Sequence, residues 1–168
     1  MAEFKLNKNH KEHALSDLKQ LKDRVVYIVS HEKAAGTPLR VHPKEKVIHC
    51  GGGLGKWTQW TAKKMGRLVM CNDQKCPVMG FYNAAAGKWL AIKNGIVTTG
   101  AGGNHCEFIV FNKFKAVLLR KAQDAEKGVG CKPNGQMMDP NSVGEDASGR
   151  FFIFDAALVQ KHANLFLK

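Results

Sequence analysis

The 168-residue chain carries 26 Lys and Arg against 14 Asp and Glu, a formal net charge of +12, and 44% of its residues are hydrophobic. This length and composition predict one soluble globular domain that can bury a core, while the apolar runs are far shorter than the ~20 residues of a membrane span. Residues 1–23 also lack the continuous apolar stretch of a secretory signal. We therefore expect a protein of the cytosol or nucleus, and we assign it to the cytoplasm.

The N-terminal extension, residues 1–23, contains apolar residues at helical spacing. Its recurring leucines are Leu15, Leu18 and Leu21, and Ser16 or Asp17 could cap the segment. The spacing predicts a short helix that covers one end of the core domain. A helix that binds a partner is the alternative.

The core domain, residues 24–155, contains three copies of one pattern, which we divide into 24–66, 67–115 and 116–155. Each copy has a short run, a two-residue turn, a second run, a Gly-rich connection and an aromatic run. The three turns are Lys44-Glu45, Asn94-Gly95 and Asn134-Gly135. Asn-Gly is the strongest short hairpin signal, because both central residues of the favoured turn adopt positive φ.

The aromatic runs have aromatic residues at their first and fourth positions: WTQW (57–60), FIVF (108–111) and FFIF (151–154). A further apolar run follows each of them, at 67–71, 116–120 and 157–160, and 24–30 opens the first copy. Four short strands in each of three copies predict an all-β fold, a β-trefoil with a six-stranded barrel and three capping hairpins. Both Trp57 and Trp60 are expected to fill the barrel. A β-sandwich would not explain the threefold repeat.

The glycine-rich stretches are interpreted as connections between strands. GAGG (100–103) lies where the first copy has GGGLG (51–55) and the third has residues 142–149. GGGLGKW resembles a phosphate-binding loop, but it is one residue short and Trp57 stands where Ser or Thr would ligate magnesium. We therefore do not expect a nucleotide site.

The C-terminal extension, residues 156–168, again contains apolar residues at helical spacing. They are Leu158, Val159, His162, Leu165 and Phe166, and Asp155 could cap the segment. A short helix is predicted, with an extra strand or a helix that binds a partner as the alternatives.

Cysteine and histidine residues offer no complete catalytic or metal-binding motif. The five cysteines are Cys50, Cys71, Cys76, Cys106 and Cys131, and they lack the paired short spacings of a zinc site. The histidines considered, His31, His42, His49, His105 and His162, are scattered among turns and strand ends without a nucleophile motif. Cys–His catalysis would require these residues to converge in the fold. We expect buried thiols, no metal, no cofactor and no enzymatic activity.

Half of the net charge lies in residues 34–68, where seven basic residues face one acid, Glu45. The basic residues are Arg40, Lys44, Lys46, Lys56, Lys63, Lys64 and Arg67. Such a field attracts an acidic protein surface, a sulfated glycan, anionic lipid or nucleic acid. These seven residues are our predicted binding site, and a purely solubilising role is the alternative.

The second copy carries motifs of a known group of β-trefoils. Lys88-Trp89-Leu90-Ala91, the Asn94-Gly95 turn and Cys106-Glu107-Phe108 resemble the fascin and fibroblast growth factor group. The similarity extends over residues 25–154 as an architecture and over the second copy at the level of motifs. It implies a β-trefoil and, for the fascin-like members, an actin-binding role.

This chain departs from the sequence patterns of other trefoils in three respects. Val110 stands where the growth-factor pattern has an acid, and the region that carries their heparin-binding loops contains Asp139, Glu145 and Asp146. The Gln-x-Trp repeat of trefoil lectins is absent, since Gln59 directly precedes Trp60. We therefore expect a non-catalytic interaction module with F-actin as the named partner. A growth-factor-like trefoil that binds heparin or a receptor, and a nucleic-acid-binding module, are the alternatives.

Overall fold

The computed structural model describes residues 13–15, 18–31, 37–51, 53–71, 73–113 and 115–162, without the side chains of Leu18, Arg67, Cys71, Gln74 and Lys113. Eleven strands and two short helices lie in these residues, so the all-β prediction is confirmed. The strands are β1 Val25–Ser30, β2 Leu39–Val41, β3 Ile48–Cys50, β4 Gln59–Cys71, β5 Gln74–Asn83, β6 Lys88–Lys93, β7 Ile96–Gly100, β8 Phe108–Lys113, β9 Ala116–Lys121, β10 Asp124–Gly128 and β11 Phe151–Asp155. The helices are α1 Leu18–Leu21 and α2 Ala156–Lys161, and the 3₁₀ turns are Lys56–Thr58, Asn104–Cys106, Pro140–Ser142 and Ala147–Gly149.

Six of the strands close into a barrel. Going around it, β1 pairs with β4, β4 with β5, β5 with β8, β8 with β9, β9 with β11, and β11 with β1 again, always antiparallel. The contact between β9 and β11 is made by the single pair Phe151↔Val117. A closed ring leaves these strands with partners on both sides, which removes the exposed edges of an open sheet.

The barrel interior is filled by large side chains of the ring strands, as a barrel of this size requires. Trp60, Phe81, Phe108 and Phe151 are all fully buried in one cluster. The indole nitrogen of Trp60 donates to the carbonyl oxygen of Leu39 at 2.9 Å, so its polar atom is satisfied inside the core. Burial of each such side chain stabilises the fold by roughly 1.5–3 kcal/mol.

The hairpin β6–β7 turns at Asn94-Gly95, as predicted. The φ angles of Asn94 and Gly95 are 53° and 76°, the two positive values that a type I′ turn needs. In the hairpin β2–β3, Lys44-Glu45 lies within a longer connection in which the amide of Lys46 donates to the carbonyl of His42 at 2.9 Å. The prediction of a two-residue turn there is therefore wrong, because Lys46 itself closes the loop with a φ of 59°.

The third predicted turn is displaced by one residue. The amide of Gly135 donates to the carbonyl of Lys132 at 2.9 Å, so Pro133 and Asn134 are the central residues and Gly135, at φ 92°, follows them. Proline favours the first central position because its φ is already fixed near the required value. In place of two further strands, this turn is flanked by the single bridge Cys131↔Met137.

Two sequence-based strand assignments are also wrong. Trp57 and Thr58 belong to a 3₁₀ turn, so Trp60 rather than Trp57 corresponds to Phe108 and Phe151, each of which follows such a turn. Residues 67–71 do not open the second copy. They continue β4, because this strand pairs with β5 as far as Cys71↔Gln74. The apolar run at 157–160 lies in α2, so the predicted C-terminal helix is confirmed there and the alternative strand is not found.

The two terminal segments pack against the barrel where they are described. Leu21 is fully buried in the core cluster, and the amide of Leu15 donates to the carbonyl of Ile153 at 2.7 Å. Residues 1–12, Ser16, Asp17, Leu165 and Phe166 lie outside the described residues. Asp155 caps α2 as predicted, since its carboxylate accepts from the amides of Ala157 and Leu158. Neither described helix is long and apolar enough to cross a membrane.

Candidate anion-binding surface

The seven predicted binding residues fall into two groups along β4. The direction of β4 is set by its antiparallel pairing with β1, in which Tyr27 faces Gln59 and Val25 faces Thr61. The hairpin β2–β3 attaches where β1 ends, through the bridge Val29↔Pro38. Residues before Gln59 therefore lie beside this hairpin, whereas residues after Thr61 lie beyond the start of β1.

We call the first group the hairpin-end cations: Arg40, Lys44, Lys46 and Lys56. The second group, the β4 cations, is Lys63, Lys64 and Arg67. The four residue steps from Gln59 to Lys63 along β4 span roughly 13 Å. The predicted single surface is therefore divided into two groups of residues, because strand direction separates positions that are close in sequence.

Trp57 holds two of the hairpin-end cations in place. The ammonium nitrogen of Lys46 lies 4.3 Å from the centroid of the Trp57 ring, and that of Lys56 lies 5.9 Å from it. Lys46 also donates to the carbonyl of Pro43 at 2.7 Å. Cation–π contacts at exposed sites are worth about 0.5–1 kcal/mol each. The partly exposed indole was missed in the sequence because Trp57 was assigned to the core.

Arg40 and His49 face each other across the hairpin β2–β3. Arg40 Nε donates to His49 Nε2 at 3.1 Å, which requires an unprotonated nitrogen at that position. Burial lowers the pKa of His49, and the nearby Arg40 charge lowers it further, against smaller opposing contributions from Glu45 and a backbone hydrogen bond with Cys50. His49 therefore stays neutral near pH ~7, and Arg40 carries the charge of this pair.

His42 shapes the loop that presents Lys44 and Lys46. Its Nδ1 accepts from the amides of Lys44 and Glu45 at 3.2 and 3.1 Å. These bonds occupy backbone donors that would otherwise need water. The exposed lysines thus extend from a loop with a fixed backbone.

A cleft of about 270 Å³ separates this hairpin from the third turn. Its polar side chains are those of Glu45, His49, Asn134 and Gln136. The floor is held by the amide of Cys50, which donates to the carbonyl of Gly135 at 2.8 Å. This volume lies just below the usual range for small-molecule sites.

The β4 cations are less available for binding an anionic partner than the hairpin-end cations are. Lys63 makes an exposed ion pair with Asp23 at 3.2 Å, which offsets its charge. Exposed pairs of this kind contribute about 0–1 kcal/mol. Lys64 is exposed on the same strand. By contrast, none of the ion pairs seen in the described part of the chain involves Lys44, Lys46 or Lys56.

Among the histidines considered for catalysis, His42 and His49 are the pair seen in ring contact in the described residues, with 5.4 Å between their centroids. His105 is exposed in a 3₁₀ turn, His162 ends α2, and the ring of His31 packs edge-on against Phe152 at 5.2 Å. No group of three or more His, Cys, Asp or Glu that could hold a metal is found among the residues described. Cys50, Cys106 and Cys131 are buried, and burial raises the pKa of the Cys106 thiol.

No protein-family model and no curated protein sequence matches this chain. The functional argument therefore depends on the surface chemistry and on the arrangement of the strands.

Proposed function

We propose that the barrel and its hairpins form a β-trefoil. The six-strand ring supports this, because hairpins β2–β3 and β6–β7 each lie between successive ring strands in the chain. The bridge Cys131↔Met137 occupies the corresponding place in the third copy. A 3₁₀ turn precedes β4, β8 and β11, which adds a second feature that repeats three times.

On this fold, the protein is a non-catalytic module that binds an acidic macromolecular surface. The observation that carries the proposal is the group of hairpin-end cations. Lys44 and Lys46 extend from one loop, and the ammonium groups of Lys46 and Lys56 lie over the partly exposed ring of Trp57. Residues 34–68 supply half of the net charge, because this segment contains seven basic residues and one acidic residue. Cations held in place lose less conformational freedom on binding than lysines that must be ordered at the interface.

F-actin is the partner we name, because the resemblance to fascin-like trefoils implies it and a filament presents a repeating acidic surface. The protein is then expected to act in the cytoplasm. Heparin is the alternative ligand in a growth-factor-like trefoil. The exposed acids Asp139, Glu145 and Asp146 disfavour it at the third copy, since a sulfated chain would meet like charge there.

The test is co-sedimentation of the purified protein with F-actin at low and at physiological salt, beside a heparin column and a single-stranded RNA. Pelleting with F-actin that persists at physiological salt supports the proposal. Retention on heparin alone would transfer the function to the growth-factor-like alternative. Trp57-dependent RNA binding would favour the nucleic-acid module, because bases stack on exposed aromatic rings.

A further inference from the structure

The β4–β5 hairpin continues beyond the barrel. The described pairing of β5 with β8 ends at Val78↔Ile109. Beyond it, from Leu68↔Pro77 to Cys71↔Gln74, the described registers pair β4 and β5 only with each other. The irregular register between Lys64 and Leu68 includes Gly66, whose φ of 75° lets the strand bend there. The end of this hairpin, residues 64–77, is called the β4–β5 tip below.

The two faces of the β4–β5 tip differ in their surroundings. Val69 and Cys76, which pair across the strands, pack with the buried Val78, Ile109 and Ala122. Successive side chains of a strand point to opposite faces. The neighbours of Val69 therefore face outward, and they are Leu68 and Met70.

The outward face combines apolar and basic side chains. Leu68 is 53% exposed and Met70 is 64% exposed, and both are among the most exposed large hydrophobic residues described. Lys75 lies opposite Met70 in the register, and Lys64 is exposed at the base of the tip. Asp73 is the acid in the connecting turn, and Arg67 adds a further basic residue to the sequence of the tip.

We propose that this outward face docks onto an anionic lipid surface. Leu68 and Met70 enter the boundary between headgroups and acyl chains, while Lys64 and Lys75 contact the lipid phosphates. Apolar side chains flanked by lysines are the combination that interfacial binding uses, since each attraction alone is weak. Because the hairpin-end cations lie at the other end of β4, this contact leaves them exposed.

Two other occupants fit the tip less well. A second copy docked through the same face would add its own Lys64 and Lys75 to the lysines already there, so like charges would oppose the contact. An added peptide strand would pair with the backbone at the edge of β4 or β5. Such pairing would not use Leu68 and Met70, whose side chains stand perpendicular to the ribbon.

The experiment is co-sedimentation with vesicles of phosphatidylcholine alone and with vesicles that also contain phosphatidylserine. We expect binding to the anionic vesicles, weakened by roughly tenfold in L68S/M70S and by a similar factor in K64E/K75E. All four side chains project from the surface or the hairpin end, so unchanged thermal unfolding should accompany the loss. K44E/K46E is the matched control for charge, because its lysines belong to the hairpin end, and it should bind vesicles as the wild type does.

Three outcomes would overturn the proposal. Equal binding of L68S/M70S and wild type would leave only diffuse charge attraction, and equal weakening in K44E/K46E would place the contact elsewhere. Self-association that disappears in L68S/M70S, without vesicle binding, would assign the tip to a second copy. F-actin binding is measured separately, so the failure of either proposal is distinguishable from that of the other.

Discussion

Gly149 lies just before β11, where the backbone of Gly144 and the side chain of Val143 pack closely against it. A Cβ atom at this position would overlap the carbonyl oxygen of Gly144 and lie 2.8 Å from a methyl carbon of Val143. Backbone atoms cannot move aside as a flexible side chain does, so the local turn would have to shift. Gly55, which precedes the 3₁₀ turn before β4, has nothing within 4 Å of the corresponding Cβ position.

We therefore expect Gly149→Ala to lower the free energy of unfolding by about 1–3 kcal/mol. Gly55→Ala is the matched control and should leave it nearly unchanged. Urea denaturation followed by tryptophan fluorescence measures both variants. Equal stability of the two variants would contradict the packing described at Gly149.

His49 gives the hairpin β2–β3 a pH-dependent contribution to stability. Its pKa is lower in the folded protein than its model value of 6.5, so the unfolded chain binds the proton more readily. The contribution of the neutral imidazole is complete above the unfolded pKa and is lost as the pH falls towards the folded pKa. The ring of His42 lies 5.4 Å from that of His49, and His42 remains in both proteins when only His49 is replaced.

We expect the wild type to lose more stability than His49→Gln when the pH falls from about 7.5 to about 5. The amide oxygen of Gln retains an acceptor for Arg40 but binds no proton in this range. Urea denaturation of both proteins at both pH values measures how much stability each protein loses. A steeper loss in the variant would reverse the sign that we assign to the His49 pKa.

At the scale of the element, Asp155 joins β11 to α2. Its Oδ1 accepts from the amides of Ala157 at 2.9 Å and Leu158 at 3.3 Å, and its other oxygen contacts Arg24. The amides at the start of a helix have no partner within the helix, so a capping carboxylate satisfies them. The fully buried Val159 then packs from α2 against the outer cluster that includes Tyr27 and Phe154.

Asp155→Ala should destabilise the protein by about 1 kcal/mol, because the cap is lost. Asp155→Asn retains the capping oxygen but removes the charge opposite Arg24, and should cost much less. Thermal unfolding of the two variants separates the cap from the exposed ion pair. If Asn were as destabilising as Ala, the ion pair would be the dominant contribution.

At the scale of the whole molecule, the sequence predicted those features of the fold that depend on residues close together in the chain. The Asn94-Gly95 turn and the Asp155 cap are short-range signals, and both occur where they were expected. The end of β4 is different, because its length is set by pairing with β5 rather than by its own residues.

The candidate site was predictable in composition but not in arrangement. The basic residues of 34–68 are visible in the sequence, yet their division into two groups depends on the direction of β4 relative to β1. Trp57 was placed in the core because its run resembles those of Phe108 and Phe151. The 3₁₀ turn shifts the equivalent position to Trp60, and Trp57 contacts Lys46 instead.

The most direct measurement is the affinity for F-actin of two charge-reversal variants, compared by co-sedimentation at physiological salt. K44E/K46E/K56E removes most of the hairpin-end cations, and K63E/K64E reverses charges on β4. We predict that the first variant binds at least about tenfold more weakly and that the second binds as the wild type does. Equal binding of all three proteins, or a greater loss in K63E/K64E, would contradict the assignment of the binding surface to the hairpin end.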